Sequence, residues 1–247
     1  MIVCPECVPK QGGVQASVPV VSFSFRSWHF SLGRTPFKSR ELAKHYDERS
    51  ASWQKTIERF GFEGAYRHLI CRVLSQQRYR LDRHSLRVLD AGIGTGAMTS
   101  AFHAELGRGF QLDGVDISEE MLRVASKHLQ FKNIEKTLAI ADITDLPYDD
   151  DCFDVVLVAH VVEHLAIPET GFDELYRVLK PGGLLICSMT RRSAFGAFVQ
   201  LLWRTHQVGI SRALGWLRGA GFRDVRALPM EKGSAARNCS IGYVGRK

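Results

Sequence analysis

The sequence predicts an α/β fold in which a mostly parallel β-sheet is covered by helices on both faces. Apolar runs of strand length alternate with amphipathic helical stretches, which is the pattern of βαβ units. Five such runs lie between residues 87 and 190, and each reads as a buried strand. The first run leads into a glycine-rich loop that opens a helix.

Length and composition favour a globular chain with a sizeable core. The 247 residues, 45% hydrophobic and 24% charged, suit one large domain or one domain with appendages. No apolar run approaches the roughly 18 residues that a membrane-spanning helix needs. Six scattered cysteines are too few for a disulfide framework, so we expect a reducing, cytoplasmic compartment. Cys4 and Cys7 form a C-x-x-C pair, but without a second pair they predict no zinc site.

The net charge of +7 is unevenly distributed. Residues 84–189 carry 8 basic and 17 acidic side chains, whereas residues 190–247 carry 11 and 2. A basic end favours an anionic substrate, a lipid headgroup or nucleic acid, and a solvated surface is the simpler interpretation.

The N-terminal third contains an appendage and a helical part. Residues 1–37 contain a single acidic residue, Glu6, and are interpreted as a targeting segment, an extra edge element or a leader. The alternating run VSFSFRSWHF within them has no evident pairing partner. Residues 37–60 and 64–81 have helical periodicity, with Gly61 and Gly64 as a break between them.

The rest of the chain alternates strands and helices. Strands are predicted over residues 87–92, 110–118, 136–142, 153–160 and 183–190, and helices over 97–106, 118–129 and 169–180. Ser118 can cap its helix, and Glu119 and Glu120 lie in the positive first turn. The helix over 169–180 is expected to stop at Lys180, where Pro181 and two glycines follow.

The glycine loop VLDAGIGTGA (88–97) predicts a ligand site. Its glycines let the backbone approach a ligand closely, and the helix that follows offers free N–H groups. In open α/β sheets, ligands bind at the carboxyl ends of strands where the winding reverses. Gly92, Gly94 and Ala97 also satisfy the dinucleotide pattern G-x-G-x-x-G/A, which alone is a weak signal.

Carboxylates at three successive strand ends strengthen this prediction. Asp90 precedes the glycines, where it can face the amino end of a ligand. Asp116 can accept hydrogen bonds from ribose hydroxyls, and Asp142 from an adenine amino group. Ile117 and Ile143 stand beside them and can sandwich a planar base. Together these residues indicate a ligand that contains a nucleoside.

Residues 160–164, HVVEH, match the inverted zinc-protease signature H-x-x-E-H. Two histidines four apart share a face only within a helix, whereas His160 directly follows a predicted strand. A third protein ligand is also missing, because nothing marks Glu169 or Glu174 as one. We therefore predict no metal and interpret the stretch as a wall of the ligand site.

Five segments in order resemble the motifs of class I S-adenosylmethionine (SAM)-dependent methyltransferases: VLDAGIGTG, GVDISEEML, ADITDLPYDDDCFDVV, VEHL and ELYRVLKPGG. The resemblance covers about residues 40–247 and is strongest to the small-molecule branch with the ubiquinone/menaquinone-type enzymes. It implies a Rossmann-like three-layer sandwich with a seven-stranded, mostly parallel sheet. The segments WLRGAGFRDVRALP and CSIGYVGRK resemble the last helix and the closing antiparallel hairpin.

The resemblance also implies residue roles. The methionine part of SAM would lie against Asp90 and the glycines, Asp116 would bind the ribose, and Asp142 with Ile143 the adenine. A helix containing Tyr46 and Trp53 would close over the pocket. The implied cofactor-binding residues are Tyr46, Asp90, Gly92, Gly94, Gly96, Asp116, Ile117, Met121, Asp142, Ile143 and His160. Ile93 stands where the family often has cysteine, which is a mild departure.

The implied organisation is an appendage over 1–37 and a methyltransferase domain over 38–247. Within the domain we expect a helical cap (38–85), a SAM-binding core (86–190), a substrate cover (191–210), and a C-terminal helix and hairpin (211–247). Phe195, Phe198, Leu201, Leu202 and Trp203 of the cover can line an apolar acceptor pocket, lie on a membrane surface or simply pack on the sheet. Arg191, Arg192 and Arg204 can hold an anionic group.

The implied reaction moves a methyl group from SAM to an O, N, S or C atom of a small molecule by in-line displacement. Holding the reactants in line is worth on the order of 7–11 kcal/mol. An acceptor oxygen or nitrogen must also lose a proton, for which a histidine is suited at neutral pH. His160 and His164 are the candidate bases, with His206 and Tyr46 as further choices and Glu163 as a possible substrate contact.

Rival functions explain less of the sequence. A nucleotide-dependent oxidoreductase leaves Asp142, with its following DLP, and LKPGG without a role. The chain lacks the Asn/Asp-Pro-Pro-Tyr/Phe signature of base-amine methylation, so we expect no nucleic-acid partner. A SAM-binding scaffold without activity stays open, and the oligomeric state is not predicted.

Overall fold

The computed structural model describes most of the chain, in several ranges. These are residues 18–25, 28–34, 41–44, 47, 61–76, 79, 81, 85–107, 109–191, 208–230 and 236–247. Several predictions fall outside the described residues, namely those for Cys4, Cys7, Tyr46, Trp53, His206 and residues 192–207, which make up most of the expected cover.

A seven-stranded sheet forms the centre of the molecule. Its strands are β3 (Leu86–Ala91), β4 (Phe110–Asp116), β5 (Thr137–Ile140), β6 (Phe153–Ala159), β7 (Leu179–Thr190), β8 (Arg223–Pro229) and β9 (Ser240–Arg246). Their order is β5-β4-β3-β6-β7-β9-β8. The first five strands are parallel, whereas β9 runs antiparallel to both β7 and β8. The predicted sheet and its antiparallel closing hairpin are confirmed.

Helices cover both faces of this sheet. They are α1 (Phe62–Leu74), α2 (Ala97–Leu106), α3 (Glu119–Phe131), α4 (Pro168–Val178), α5 (Ile210–Gly219) and the short α6 (Ala236–Cys239). One apolar core joins α1, α2 and α3 to the sheet, and a second joins α4 and α5 to the opposite face. Alternate residues of each central strand enter the two cores, so the strands are buried on both sides. The three-layer arrangement is therefore confirmed.

Local sequence explains where α3 begins. The Ser118 side chain accepts a hydrogen bond from the Met121 N–H at 3.1 Å, as its predicted capping role requires. Glu119 and Glu120 occupy the positive first turn. Because the Ser118 N–H also donates to the Asp116 carboxylate, this cap joins the helix to the end of β4.

Helix boundaries differ from the sequence prediction in several places. The helical pattern over 64–81 forms a helix only as far as Leu74, and α3 extends to Phe131 instead of residue 129. The helix expected over 169–180 ends at Val178, and Leu179 already pairs with Phe153 in the sheet. The break expected at Gly61 and Gly64 consists of Gly61 alone, whose φ of 65° precedes the helix, while Gly64 lies inside the first turn of α1. At the end of α4, sheet pairing of Leu179 outweighs the helical pattern, whereas packing of α1 outweighs the helix-breaking tendency of Gly64.

The N-terminal region contains a pairing that we did not anticipate. Val18–Phe25 (β1) and Trp28–Arg34 (β2) form a two-stranded antiparallel sheet, in which Val18 faces Arg34 and Phe25 faces Trp28. The first half of the run VSFSFRSWHF therefore lies in β1, its last three residues lie in β2, and these two parts pair with each other. In the described ranges, no helix combines the length and hydropathy that are needed to span a bilayer.

Close packing of β9 against α1 gives a stability prediction. A β-carbon at Gly242 would stand 2.4 Å from Cδ1 of Leu69, which is fully buried. We expect Gly242→Ala to lower the free energy of unfolding by about 1–3 kcal/mol, because the core must shift to admit the methyl group. Urea denaturation measures this change.

The matched control for that variant is Gly215→Ala in α5, where a β-carbon would meet nothing within 4 Å. We expect this change to be neutral or to stabilise the protein by about 0.5–1 kcal/mol, because alanine favours a helix. Equal stability of Gly242→Ala and the wild-type protein would contradict the packing described for β9 and α1.

Candidate active site

The candidate site lies where the winding of the sheet reverses. Strands β4 and β5 lie on one side of β3, and β6 and β7 lie on the other. The carboxyl ends of β3, β4 and β6 therefore border a crevice of the kind in which open α/β sheets bind ligands. The glycine loop after β3 forms the floor of this crevice.

All three loop glycines adopt a left-handed backbone, with φ of 75°, 53° and 77° at residues 92, 94 and 96. A β-carbon at Gly92 would lie 2.3 Å from a side-chain carbon of Val161. A β-carbon at Gly96 would lie 3.1 Å from a side-chain carbon of Leu129. At Gly94 it would meet nothing within 4 Å. Gly92 and Gly96 thus satisfy internal packing, whereas Gly94 leaves an open cradle that fits a closely bound ligand.

Asp116 ties the end of β4 to the loop. Its carboxylate accepts hydrogen bonds from the Gly94 N–H at 2.9 Å and from the Ser118 N–H at 3.0 Å. Burial raises the pKa of Asp116 to about 6, although these N–H groups act against the increase. A carboxylate has about four lone-pair positions, so two backbone bonds leave room for the hydroxyls of a ribose.

Asp90 lies deeper in the same crevice and is 1% exposed. Thr99, in the first turn of α2, donates its hydroxyl to the Asp90 carboxylate at 2.6 Å. Burial raises the pKa of Asp90 to about 7, opposed by the Thr99 bond and reinforced by the charge of Asp116. A positively charged ligand group beside Asp90 would favour the ionised carboxylate, which fits the ammonium end of SAM.

The adenine-side candidates gather at the edge formed by β4 and β5. The Ala141 N–H donates to the Asp116 carbonyl at 3.1 Å, which brings Asp142 to the predicted strand end. The Asp142 carboxylate accepts from the Thr144 N–H at 3.0 Å and from its hydroxyl at 2.8 Å. Around this edge Ile143 and Met121 are buried, and Ile117 is partly exposed.

His160 lies just beyond β6, at a strand end as predicted, with a left-handed φ of 58°. Its Nδ1 is 3.2 Å from both Glu163 Oε1 and the Thr190 hydroxyl. Its Nε2 is 3.1 Å from the Ser240 hydroxyl and 3.3 Å from that of Ser188. Such a backbone conformation is uncommon for a residue other than glycine and is often found at functional sites.

Glu163 is fully buried in the 3-10 helix Val162–His164. Its Oε1 also accepts the Thr190 N–H at 2.9 Å. Burial alone would raise the pKa of Glu163, but the bond to His160 and the neighbouring histidine charges lower it to about 2. Glu163 is therefore ionised at neutral pH. His164, the second candidate base, is buried on the same turn.

The aromatic side chains that surround His160 were not identified from the sequence. Phe62 meets the His160 ring edge-on, with centroids 5.5 Å apart, and Tyr66 lies at 6.4 Å. Their spacing of four residues on a helix was a signal that they share one face. No sequence signal identified Ser188, Thr190 or Ser240, which join the site through strands distant in sequence.

The described part of the chain contains no cluster of side chains that would support the alternative of a zinc site. There, no group of three or more His, Cys, Asp or Glu side chains is placed to hold an ion. His160 and His164 do not share a helical face, because only residues 162–164 form a short 3-10 turn.

The raised carboxylate pKa values predict how stability depends on pH. A carboxyl whose pKa rises from an ordinary 3.8 to about 7 on folding, as for Asp90, contributes stability that is complete below pH 3.8. That contribution is lost as the pH rises to about 7. We therefore expect the cofactor-free protein to become less stable between about pH 4 and pH 7, and Asp90→Asn to flatten this dependence.

Urea denaturation at several pH values checks this expectation, with Asp149→Asn at an exposed position as the control. Glu163 does not interfere in this range, because its lowered pKa affects stability only in more acidic solution. An Asp90→Asn variant that keeps the wild-type slope would contradict the account of Asp90.

The chain is similar in sequence to known methyltransferases. A family model described as a methyltransferase domain matches residues 89–187. The demethylmenaquinone methyltransferase of Thermus thermophilus is 32% identical over 149 residues, which are 60% of this chain and 67% of that protein. The enzyme of that name from Clavibacter sepedonicus is 40% identical over 105 residues, covering 42% and 41%.

Solved structures share the fold. A possible histamine N-methyltransferase from Thermotoga maritima superposes with a TM-score of 0.62 at 21% identity, covering 83% of this chain and 99% of that one. Phosphoethanolamine N-methyltransferase 2 of Haemonchus contortus, solved with SAM, gives 0.61 at 17% identity, covering 89% and 62%.

The curated matches are partial, and three of them extend over only 41–53% of the relative's length. Even so, the Thermus thermophilus protein is matched over two thirds of its length, and the sheet order and glycine loop agree with the predicted fold and with SAM as the cofactor. The chain belongs to the class I SAM-dependent methyltransferases, in the branch that contains the demethylmenaquinone methyltransferases.

Proposed function

We propose that this chain transfers a methyl group from SAM to a small aromatic acceptor, a quinol or a related hydroxylated ring. The observation that carries the proposal is the pair of contacts that joins an open glycine loop to Asp116, beside a histidine held by a carboxylate. The first part fits a nucleoside ligand, and the second fits an acceptor that must lose a proton.

Cofactor binding is assigned to the residues around the loop. Asp90 and Gly92, Gly94 and Gly96 would hold the methionine end, and Asp116 the ribose. Asp142 with Ile117, Met121 and Ile143 would hold the adenine. Bound SAM supplies an electrophilic methyl group on a positively charged sulfur. The protein's contribution is to fix that group and the acceptor in line and to exclude water.

The acceptor class is inferred from the walls around His160. Phe62 and Tyr66 meet the imidazole with their rings, and both are buried on the face of α1 that packs over the sheet. Flat aromatic acceptors fit such a surface, because aromatic rings favour edge and offset contacts with one another. The names of the curated relatives, demethylmenaquinone methyltransferases, support the same class.

His160 is the proposed base, ahead of His164, because its ring is partly exposed while His164 is buried. Removal of a hydroxyl proton from a quinol by His160 would leave an oxyanion that makes the neighbouring ring carbon nucleophilic. That carbon would form the new bond to the methyl group while the bond between the methyl group and the sulfur breaks, with S-adenosylhomocysteine as the leaving group. The carbon would then lose its own proton as the ring regains aromaticity.

We propose a substrate cover whose two flanking residues are paired with each other. Arg191 and Val208, which flank residues 192–207, form an isolated bridge directly after Thr190 of the His160 network. Because Arg191 and Val208 lie together beside the His160 network, residues 192–207 are the segment that we propose as the cover. The exposed Arg191 can contact an anionic group of the acceptor.

The compartment is a separate proposal. The four cysteines in the described ranges are free thiols, which fits the reducing compartment that we expected.

Trideuteromethyl-labelled SAM tests the proposed reaction. We expect mass spectrometry to find one labelled methyl group on a hydroxynaphthalene or hydroquinone acceptor and none on an aminoalkyl phosphate offered in parallel. Label on the phosphate compound alone would refute the acceptor class. Binding of SAM with no transfer to any acceptor would favour a non-catalytic scaffold.

A variant of His160 tests the proposed base. We expect His160→Gln to lower kcat by about 100- to 10,000-fold, which is the usual contribution of a general base, while the Kd for S-adenosylhomocysteine stays within about threefold. His103→Gln, on the outer part of α2, is the matched control. Full activity of His160→Gln would assign proton removal to another group.

A further inference from the structure

We propose that Glu163 is a positioning residue that fixes the tautomer and orientation of His160, so that Nε2 is the nitrogen that accepts the acceptor's proton. The inference rests on the proposed function in one respect, namely that His160 acts as the base. It gives Glu163 a role different from substrate contact, because its side chain lies wholly inside the protein.

Hydrogen-bond chemistry sets the tautomer. An ionised carboxylate only accepts hydrogen bonds, so the nitrogen that faces it must carry a proton. Nδ1 faces Glu163 Oε1 at 3.2 Å, and Nδ1 is therefore the protonated nitrogen of the neutral ring. Nε2 then holds the free electron pair, and the hydroxyls of Ser240 and Ser188, at 3.1 and 3.3 Å, can both donate towards it.

Backbone contacts hold the carboxylate in place. Oε1 accepts the Thr190 N–H at 2.9 Å, and the His160 N–H donates to the Ser188 carbonyl at 2.8 Å. Both partners belong to β7, so Glu163 and His160 are registered against the same strand. A side chain bound in this way by a rigid sheet loses little further freedom when a proton is transferred.

The hydrogen bonds of the Glu163 carboxylate converge on one of its two oxygens. Its Oε2 is buried and has no hydrogen-bond partner among the described residues, so Oε1 carries the recorded contacts of the carboxylate. A buried anion with one unsatisfied oxygen gains strongly from a nearby positive charge. An imidazolium formed on His160 would supply that charge, as in a serine protease triad where the acid orients the histidine and stabilises its charged form.

Nitrogen-15 NMR of the histidine rings tests the proposal directly, on protein without acceptor. The His160 signals are identified by their loss in His160→Gln. At pH 8 we expect Nδ1 to carry the proton and Nε2 to be unprotonated in the wild-type protein. A ring protonated on Nε2, alone or together with Nδ1, overturns the proposal.

Glu163→Gln is the decisive variant, because it keeps the shape of the side chain and removes its charge. We expect its His160 ring to become a mixture of tautomers, and kcat to fall on the order of 100-fold with little change in KM. An unchanged tautomer, or a changed tautomer with full activity, overturns the proposal. Unaltered binding of S-adenosylhomocysteine shows that the variant is folded.

Thr190→Val is the matched control. It removes the hydroxyl near Nδ1 but keeps the backbone N–H that holds Glu163, so the wild-type tautomer should persist. If this variant also loses the tautomer, Glu163 does not fix the ring by itself and the proposal is overturned. The NMR result does not depend on turnover, so a wild-type protein with the expected tautomer but no methyl transfer would refute only the proposed function.

Discussion

The contact between Gly92 and Val161 constrains both halves of the candidate site. A β-carbon at Gly92 would stand 2.3 Å from a methyl group of Val161, so only glycine lets the loop after β3 approach the segment after β6. On the cofactor side, the N–H groups of Gly92 and Ile93 both donate to the Val115 carbonyl at 2.8 Å. On the acceptor side, Val161 lies between His160 and the turn that carries Glu163.

This arrangement explains why the two halves must fold together. The loop reaches its position through the end of β4, where Asp116 accepts the Gly94 N–H. The His160 turn reaches its position through β7, where Ser188 and Thr190 bind it. A change that moves the Val161 backbone therefore displaces the cofactor loop and the proposed base together.

The buried carboxylates of the site divide into two electrostatic types. Asp90 and Asp116 are bound by a hydroxyl or by backbone N–H groups, and burial raises their pKa values. Glu163 is bound by an imidazole, which lowers its pKa. Within the first type, Asp90 is suited to a ligand's ammonium group, and Asp116 is suited to accept hydrogen bonds from a ribose. The second has its countercharge built into the protein and is suited to hold a neighbour in place.

Much of the core, and the strand-end positions of the carboxylates proposed to bind the cofactor, could be predicted from sequence because their signals are local. Alternating apolar runs predicted the five parallel strands, and Asp90, Asp116 and Asp142 each stand at or just beyond the end of one. Ser118 capped α3 as predicted, for the same reason.

The acceptor half was harder to predict from the sequence, because its contacts join residues that are far apart in the chain. Ser188 and Ser240 lie 28 and 80 residues from His160, and only the pairing of β6, β7 and β9 brings them together. The end of α4 at Val178 was missed for a similar reason, since sheet pairing of Leu179 overrides the helical pattern.

Calorimetric titration of the purified protein with S-adenosylhomocysteine, beside NADH, tests the central claim most directly. We expect micromolar binding of S-adenosylhomocysteine, no response to NADH, and strong weakening of the binding by Asp116→Ala, since this carboxylate joins the loop to the proposed ribose site. Binding of NADH instead, or S-adenosylhomocysteine affinity that is unaffected by Asp116→Ala, would contradict the site described for the cofactor.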